Sequence, residues 1–193
     1  MKNKEIQAPM GETTILLHTC CAPCSSAIIE ALIRNGITPV IYYCNPNIYP
    51  REEYEIRKSE CTRYAESLGL EIVDADYDHE NWLEAVRGLE NEPERGGRCL
   101  KCFKLRLLRT AEYARQRGIK VITTTLASSR WKSLDQINEA GLRACSQMND
   151  EVIWWDRNWR KGGLQERRLQ IIKEYGFYNQ LYCGCEFSMR KED

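Results

Sequence analysis

The chain has 193 residues, 28 basic and 28 acidic side chains, and ten cysteines. A chain of this length buries enough apolar surface to fold without cross-links, and its zero net charge gives no general attraction to nucleic acid. The N-terminal residues MKNKEIQAPMGE lack an apolar signal segment, and no stretch reaches the length of a membrane span. These features predict a cytosolic protein with reduced thiols, in which the cysteines favour metal ligation or redox chemistry over structural disulfides.

Short apolar runs alternate along the chain with segments of helical periodicity. The predicted strands are Thr13–His18, Thr38–Cys44, Leu70–Ala75, Lys120–Leu126 and Glu151–Trp155. The predicted helices are Ser25–Asn35, Glu52–Leu68, Asn81–Leu89, Cys99–Arg117, Ser133–Met148 and Gln165–Tyr175. We expect residues 1–12 to be extended or disordered, and residues 178–188 to form an irregular tail that contains cysteines.

Strands that alternate with helices predict right-handed crossovers and a mostly parallel sheet. The expected fold is therefore one α/β catalytic domain over residues 1–193 with helices on both faces, Rossmann-like or PP-loop-like. Ligands bind such sheets beyond the carboxyl ends of the strands. The unusual residues follow four of the predicted strands, so we expect them to collect at one edge of the sheet.

The motif HTCCAPCSS places Cys20, Cys21 and Cys24 between the first strand and the first helix. The partial positive charge of a helix N-terminus lowers the pKa of a nearby thiol, which suits a bound metal or a reactive thiolate. Alternatively, these cysteines are small buried apolar residues. Three cysteines within five residues favour the functional interpretation.

The motif RCLKC places Cys99 and Cys102 at the start of a helix, beside Arg98 and Lys101. Such a pair can chelate a metal or flank a cluster, or it can simply pack one helix face into the core. Together with the first motif it offers four thiolates, which suit a [4Fe–4S] cluster. Structural zinc is disfavoured because zinc ligands usually come as two nearby knuckles, and these pairs lie far apart in the chain.

The third unit is YCGCEFS, with Cys183 and Cys185 separated by one glycine. A disulfide across a single residue would be strained and easily reduced, and the pair can equally bind a second metal or form two buried thiols. Cys61 and Cys145 stand alone and are expected in the core. For Cys44, at the end of the second strand, both interpretations stay open.

Six motifs follow one another from end to end of the chain: HTCCAPCSS, NPNIYPREEYEIR, GGRCLKCFKLRL, TTLASS, NWRKGGLQER and LYCGCEFS. This ordered set resembles the QueH family of epoxyqueuosine reductases over about residues 13–188. The segment Ser128-Ser-Arg-Trp-Lys departs from the family, which often has Ser-Pro there. The resemblance implies reduction of the epoxide of epoxyqueuosine in tRNA to the cyclopentene of queuosine.

The resemblance also implies the site residues. Cys20, Cys21, Cys99 and Cys102 match the ligands of a [4Fe–4S] cluster. Cys183 and Cys185 match a redox-active or second-metal pair, and a second mononuclear iron would involve Cys24, Cys183, Cys185 and Asp156. The reaction takes two electrons and two protons, whereas such a cluster usually passes one electron at a time, so a second centre and an unidentified electron donor are expected. Asp156 would ligate the iron or deliver a proton, or it is a helix-cap or ion-paired residue.

The tRNA anticodon loop would have to be held by a local surface. The basic residues beside Gly162 and Gly163 are candidates for phosphate contacts, namely Arg157, Arg160, Lys161, Arg167 and Arg168. Nearby aromatic rings are candidates for base stacking, namely Trp154, Trp155 and Trp159. The alternative is a solvated basic helix start and core tryptophans.

Three rival functions remain open from the sequence. A metal-free thiol–disulfide oxidoreductase would be colourless, and a zinc-stabilised RNA-binding protein would have no activity. A PP-loop-like nucleotide-binding enzyme would need a glycine- and serine-rich loop after the first strand. HTCCAPCSS has no glycine, which argues against ATP.

Overall fold

The computed structural model describes residues 6–189 and confirms each predicted strand and helix within a parallel α/β fold. The strands are β1 (Thr14–Thr19), β2 (Thr38–Tyr43), β3 (Ile72–Asp74), β4 (Val121–Thr124) and β5 (Ile153–Trp154). The helices are α1 (Ala22–Arg34), α2 (Arg51–Ser67), α3 (His79–Ala85), α4 (Gly97–Gln116), α5 (Leu134–Ser146) and α6 (Leu164–Tyr175). No helix in this part of the chain is long and apolar enough to span a membrane.

The strand order is β3-β2-β1-β4-β5, and every neighbouring pair is parallel. Helix α1 packs against α2 and α6, whereas α4 packs against α3 and α5, so the sheet carries a helical layer on each face. The chain leaves β1 toward β2 on one side and later returns to β4 on the other. The gap beyond the carboxyl ends of β1 and β4 is therefore the topological switch point, where ligands bind in open α/β sheets.

Two element boundaries differ from prediction at this switch point. Helix α1 begins at Ala22, because Pro23 fits the first turn of a helix, and Cys21 becomes the residue before it. Strand β4 ends at Thr124, whose hydroxyl accepts a hydrogen bond from the Leu126 amide at 3.1 Å. A short 3-10 turn, Thr125–Ser128, follows in place of the predicted strand end. Both differences shape the loops at the first cysteine motif.

The N-terminal segment packs against the domain. Ile6 and Ala8 are buried in the core, and Pro9–Gly11 forms a 3-10 turn. The Ile6 amide donates a hydrogen bond to the Asn35 side chain at 3.0 Å. Residues 6–12 are thus held against the core, and the rest of the segment predicted as extended or disordered, residues 1–5, lies outside the described residues.

The three tryptophans that are candidates for base stacking are buried. Trp159 is fully buried and donates from its indole nitrogen to the Thr123 hydroxyl at 3.2 Å. Trp155 packs edge-on against Trp159, and Trp154 covers Gly141 of α5. Their rings fill the space between the sheet and its helices, so the alternative interpretation, core tryptophans, is confirmed.

Candidate metal centre and substrate cleft

The first cysteine motif forms a tight cluster of thiols at the switch point. The sulfur atoms of Cys20, Cys21 and Cys24 all lie within 4.8 Å of one another. Cys20 also contacts Thr125 across the sheet, with 3.4 Å between its sulfur and the hydroxyl oxygen. Gln180, from the C-terminal tail, donates its amide to the Cys21 sulfur at 3.2 Å. Convergence of three sulfur ligands on one point is the geometry that a metal ion or cluster requires.

The three thiols differ in how readily each of them ionises. Hydrogen bonding by Cys21 and Cys24 holds the pKa of Cys20 well below its usual value. Burial raises the pKa of Cys21. A hydrogen bond with Cys20 raises the pKa of Cys24 to about 12. Of the three, Cys20 is therefore the thiol whose ionised form its neighbours favour.

A buried cation lies directly beneath the thiols. Arg106 of α4 is 2% exposed and donates to the Cys44 carbonyl at 3.1 Å and to the Asn45 side chain. Its guanidinium also reaches the Cys102 sulfur at 4.0 Å. Burial opposes its charge, but the thiols of Cys102, Cys20 and Cys44 hold the pKa of Arg106 above its usual value. A buried charge is costly unless something offsets it, and here the offsetting groups are sulfur atoms.

His18 completes this buried polar layer. Its Nδ1 lies 2.6 Å from the Thr124 hydroxyl, and its Nε2 lies 3.1 Å from the Cys44 carbonyl oxygen. Burial and the neighbouring Arg106 lower the pKa of His18 to about 3. The imidazole is therefore neutral and joins the ends of β1, β2 and β4 beneath the site.

The second and third cysteine pairs meet in a hollow beside the cluster. Cys99, Cys102, Cys183 and Cys185 line this hollow together with Trp82. Burial raises the pKa of Cys99 to about 11 and also raises the pKa of Cys185. The hollow adjoins a larger cleft, which Cys20, Cys24, Cys99 and Cys183 also line. The structure thus gathers all three motifs, although the Cys20–Cys21–Cys24 group is the one with metal-binding spacing among the described residues.

The C-terminal pair is positioned by α2. Arg57 is buried, pairs with Glu53 at 2.7 Å, and donates to the carbonyl oxygens of Tyr182 and Cys183 at 3.2 Å each. Gly184 has φ +129°, a region that favours glycine, and a side chain there would crowd Arg57. The irregular tail is therefore fixed by a buried ion pair.

The cleft itself has a volume of about 870 Å³ and is strongly basic. Lys132 donates to the Cys183 sulfur at 3.3 Å. Burial opposes the charge of Lys132, but Cys183, Cys20 and Cys24 hold its pKa above the usual value. Among the described residues, one acidic side chain, Glu94, lines the cleft against seven cations: Arg57, Arg95, Arg106, Arg130, Lys132, Arg160 and Arg168. A chain of zero net charge thus concentrates positive charge at one site.

Two of the five predicted phosphate-binding residues, Arg160 and Arg168, line the cleft. Arg167 is instead paired with Glu30 and Glu174, at 2.7 Å and 2.8 Å. Arg157 lies over the rings of Trp155 and Trp159, 5.8 Å and 5.0 Å from their centroids, and Lys161 is exposed outside the cleft lining.

Asp156 is exposed after β5 and is not among the described residues that line the cleft. No contact with the thiols in the described part of the chain therefore supports the role predicted for Asp156, which is to ligate iron or deliver a proton. The site residues that the sequence did not single out are Arg57, Lys132, Trp131 and Gln180. Arg57 and Lys132 are cationic and Gln180 donates a hydrogen bond to sulfur, but their separation from the cysteines in sequence hid their proximity.

Known proteins are similar in sequence to this chain over nearly its whole length. Residues 15–191 match the sequence profile of a family described as epoxyqueuosine reductase QueH. Proteins of that name are 48% identical in Histophilus somni, over 96% of this chain and 76% of theirs, and 48% identical in Haemophilus influenzae, over 97% and 76%. The relative in Acinetobacter baylyi is 47% identical over 96% of this chain and 85% of its own.

Fold and site together define a cysteine-rich α/β protein whose switch point carries a thiol group with metal-binding spacing. Within that class, the extent and identity of the matches decide the family. The chain belongs to the epoxyqueuosine reductase QueH family.

Proposed function

We propose that this chain reduces epoxyqueuosine in tRNA to queuosine in its basic, thiol-lined cleft. The reaction consumes one epoxide, two electrons and two protons, and yields one alkene and one water. The observation that carries the proposal is the meeting of three cysteine motifs beside a cleft with seven cations and one acidic residue. Redox-active sulfur and a surface for a polyanion are the two features that this reaction requires together.

The cofactor proposed for the site is a [4Fe–4S] cluster held by Cys20, Cys21, Cys99 and Cys102, as the family resemblance implies. Both the cysteine donors and the buried polar atoms around them suit such a cluster. The Trp82 indole nitrogen is buried without a hydrogen-bond partner and lines the hollow of Cys99, Cys102, Cys183 and Cys185. Buried donors without acceptors suit the sulfur atoms of an anionic cluster, as does the buried Arg106 guanidinium. The residues therefore fit, and such a cluster would supply single-electron transfer.

A second redox centre would supply the other of the two electrons that the epoxide takes up. We assign it to Cys183 and Cys185, either as a thiol–disulfide couple or as ligands of a mononuclear iron with Cys24 and Asp156. Asp156 is exposed outside the cleft lining, so it would have to move toward Cys183 to ligate this iron. Cys183 is the exposed member of the pair and contacts the Lys132 ammonium. Lys132 lines the cleft and can hold a proton there for the water that the reaction releases.

The tRNA would bind across the mouth of the cleft through its anticodon loop. Arg160 and Arg168 line the cleft and fit phosphate oxygens, and exposed Lys161 extends this surface. Arg157 and Arg167 belong to the same proposed surface. Arg157 already lies over the Trp159 ring, and Arg167 is already paired with Glu30. Phosphate contacts of this kind hold the strand without reading its bases.

The whole chain, residues 1–193, is proposed to act as one catalytic domain, because the first two cysteine motifs come from connections of one sheet and the third follows its last α-helix. The ten cysteines are free thiols in the structure, which suits the reducing cytoplasm as the site of the reaction. An electron donor is required, since the chain's own thiols can supply two electrons only once and must then be reduced again.

Metal and sulfide analysis tests the cofactor. Protein purified and reconstituted without oxygen should be brown. Each chain should hold about four iron and four sulfide ions, beyond any iron at a second site. Replacing Cys20 and Cys99 by serine should remove the colour, whereas replacing Cys61, a buried core cysteine, should leave it. Protein that binds only zinc and no sulfide would exclude the cluster and favour a zinc-stabilised RNA-binding protein.

A further inference from the structure

One tryptophan of the five in the chain is exposed. Trp131 is 68% exposed and lines the mouth of the cleft. The four others are each at most 7% exposed, namely Trp82, Trp154, Trp155 and Trp159. An exposed indole at a ligand site is unusual, because large apolar rings are normally covered.

The backbone around this ring is held in place. Arg95 donates to the carbonyl oxygens of Arg130 and Trp131 at 2.8 Å and 3.0 Å. The carbonyl of Arg95 in turn accepts from the Gln136 side chain at 2.8 Å, and the Trp131 amide donates to the Ser129 hydroxyl at 3.3 Å. The indole therefore projects from a fixed loop, so a flat ligand can bind it without first ordering the chain.

The same loop connects the ring to the thiols. The Arg95 amide donates to the Cys99 sulfur at 3.3 Å, and Lys132, the residue after Trp131, contacts the Cys183 sulfur at 3.3 Å. The Arg130 guanidinium lies 5.5 Å from the centroid of the Trp131 ring. An aromatic face flanked by cations is the pattern on which unpaired bases stack beside a bound phosphate backbone.

We propose that Trp131 is a stacking platform for an unpaired base of the RNA substrate, next to the nucleotide that enters the cleft. The inference rests on the proposed function and adds a specificity-determining residue to it. A stacked base would fix the strand at one side of the reacting nucleotide, while the cationic side chains of the cleft hold its phosphates. Because every base has an aromatic face, this contact would select single-stranded RNA over duplex and not one base over another.

Binding of a labelled anticodon stem-loop RNA to the reconstituted protein, measured by fluorescence anisotropy, tests the proposal. Trp131→Ala should weaken binding by about 5- to 150-fold, and Trp131→Phe, which keeps an aromatic face, should restore most of it. The slope of log K against log salt should not change, because the indole carries no charge to pair with a phosphate. Leu142→Ala removes another exposed apolar side chain, on α5 outside the cleft lining, and should bind as the parent does.

A duplex RNA of the same length gives the second comparison. Its bases are already stacked on one another, so Trp131→Ala should not weaken its binding. An unchanged affinity of Trp131→Ala for the stem-loop would overturn the proposal, as would an equal reduction for the duplex or a changed salt slope. If the parent binds neither RNA, the proposed function fails and the stacking role fails with it. If the parent binds the stem-loop and the variant binds equally well, the stacking role alone is refuted.

Discussion

At the scale of single residues, the two cysteines of the C-terminal motif lie in different surroundings. Cys183 is exposed at the cleft and contacts Lys132, whereas Cys185 is buried among apolar side chains. An exposed thiol beside an ammonium group is suited to exchange with substrate or donor, and a buried partner is suited to complete a couple.

This difference leads to a test of the second centre. Cys183→Ser should keep the brown colour of the parent, because the cluster ligands are elsewhere, while turnover should fall to background. Anaerobic absorption spectra and single-turnover assays measure the two properties separately. Near-normal activity would mean that the pair is incidental to the reaction. Cys145→Ser, a change of a buried core thiol, is the matched control for the removal of one sulfur atom.

The basic stretch after β5 holds two kinds of arginine. Arg160 lines the cleft, whereas Arg167 is paired with Glu30, and this pairing holds the pKa of Glu30 below its usual value. The combined change of Arg160 and Lys161 to alanine should weaken tRNA binding and flatten the slope of log K against log salt by about 0.7–0.9 for each phosphate that is no longer neutralised. Arg167→Ala should leave both quantities close to those of the parent. If Arg167→Ala weakens tRNA binding as much as the double change does, the ion pair with Glu30 does not keep Arg167 from contributing to tRNA binding.

At the scale of elements, the junction of α5 and β5 depends on one residue without a side chain. Gly141 lies on α5 against the ring of Trp154, and a Cβ atom at this position would overlap that ring. The Trp154 indole also donates to Asn138 of the same helix at 3.2 Å, which limits its freedom to move away. The glycine is therefore a packing requirement, although glycine is a poor helix former.

Gly141→Ala should destabilise the fold by about 1–3 kcal/mol, because overpacking outweighs the gain in helix propensity. The midpoint of urea unfolding measures the effect. Leu142→Ala, at the exposed neighbouring position, should change stability by no more than about 0.5 kcal/mol. A more stable Gly141→Ala variant would show that β5 can shift to admit a methyl group.

The elements themselves are predictable because buried parallel strands are continuous apolar runs and each helix has a polar face. The predicted start of α1 lies too late in the chain because Ala22-Pro23 resembles a loop, although proline fits a first helical turn. The tryptophans in and after β5 allow two interpretations from sequence, base stacking and core packing, because an aromatic residue among arginines has the same local pattern in a core and in an RNA surface. Lys132 and Cys183 are 51 residues apart, and no local pattern reports a contact at that separation.

At the scale of the whole molecule, the sheet topology explains why dispersed cysteines act together. Strand order places the β1–α1 loop beside the β4–α5 loop, and the buried Arg57 brings the C-terminal tail to the same place. The three cysteine motifs, and their collection at one edge of the sheet, can be predicted from sequence. The grouping of sulfur atoms and the basic cleft cannot, because both depend on how the crossovers fold back onto the sheet.

The activity proposed for this chain is removal of the epoxide oxygen of epoxyqueuosine in tRNA. The most direct measurement is nucleoside mass spectrometry of epoxyqueuosine-containing tRNA after incubation with anaerobically reconstituted protein and a chemical reductant. Conversion to queuosine, with the removal of one oxygen atom, is the predicted result, and Cys183→Ser protein should leave the nucleoside unchanged. Intact epoxyqueuosine after incubation with brown, reduced protein that binds the tRNA would contradict the account.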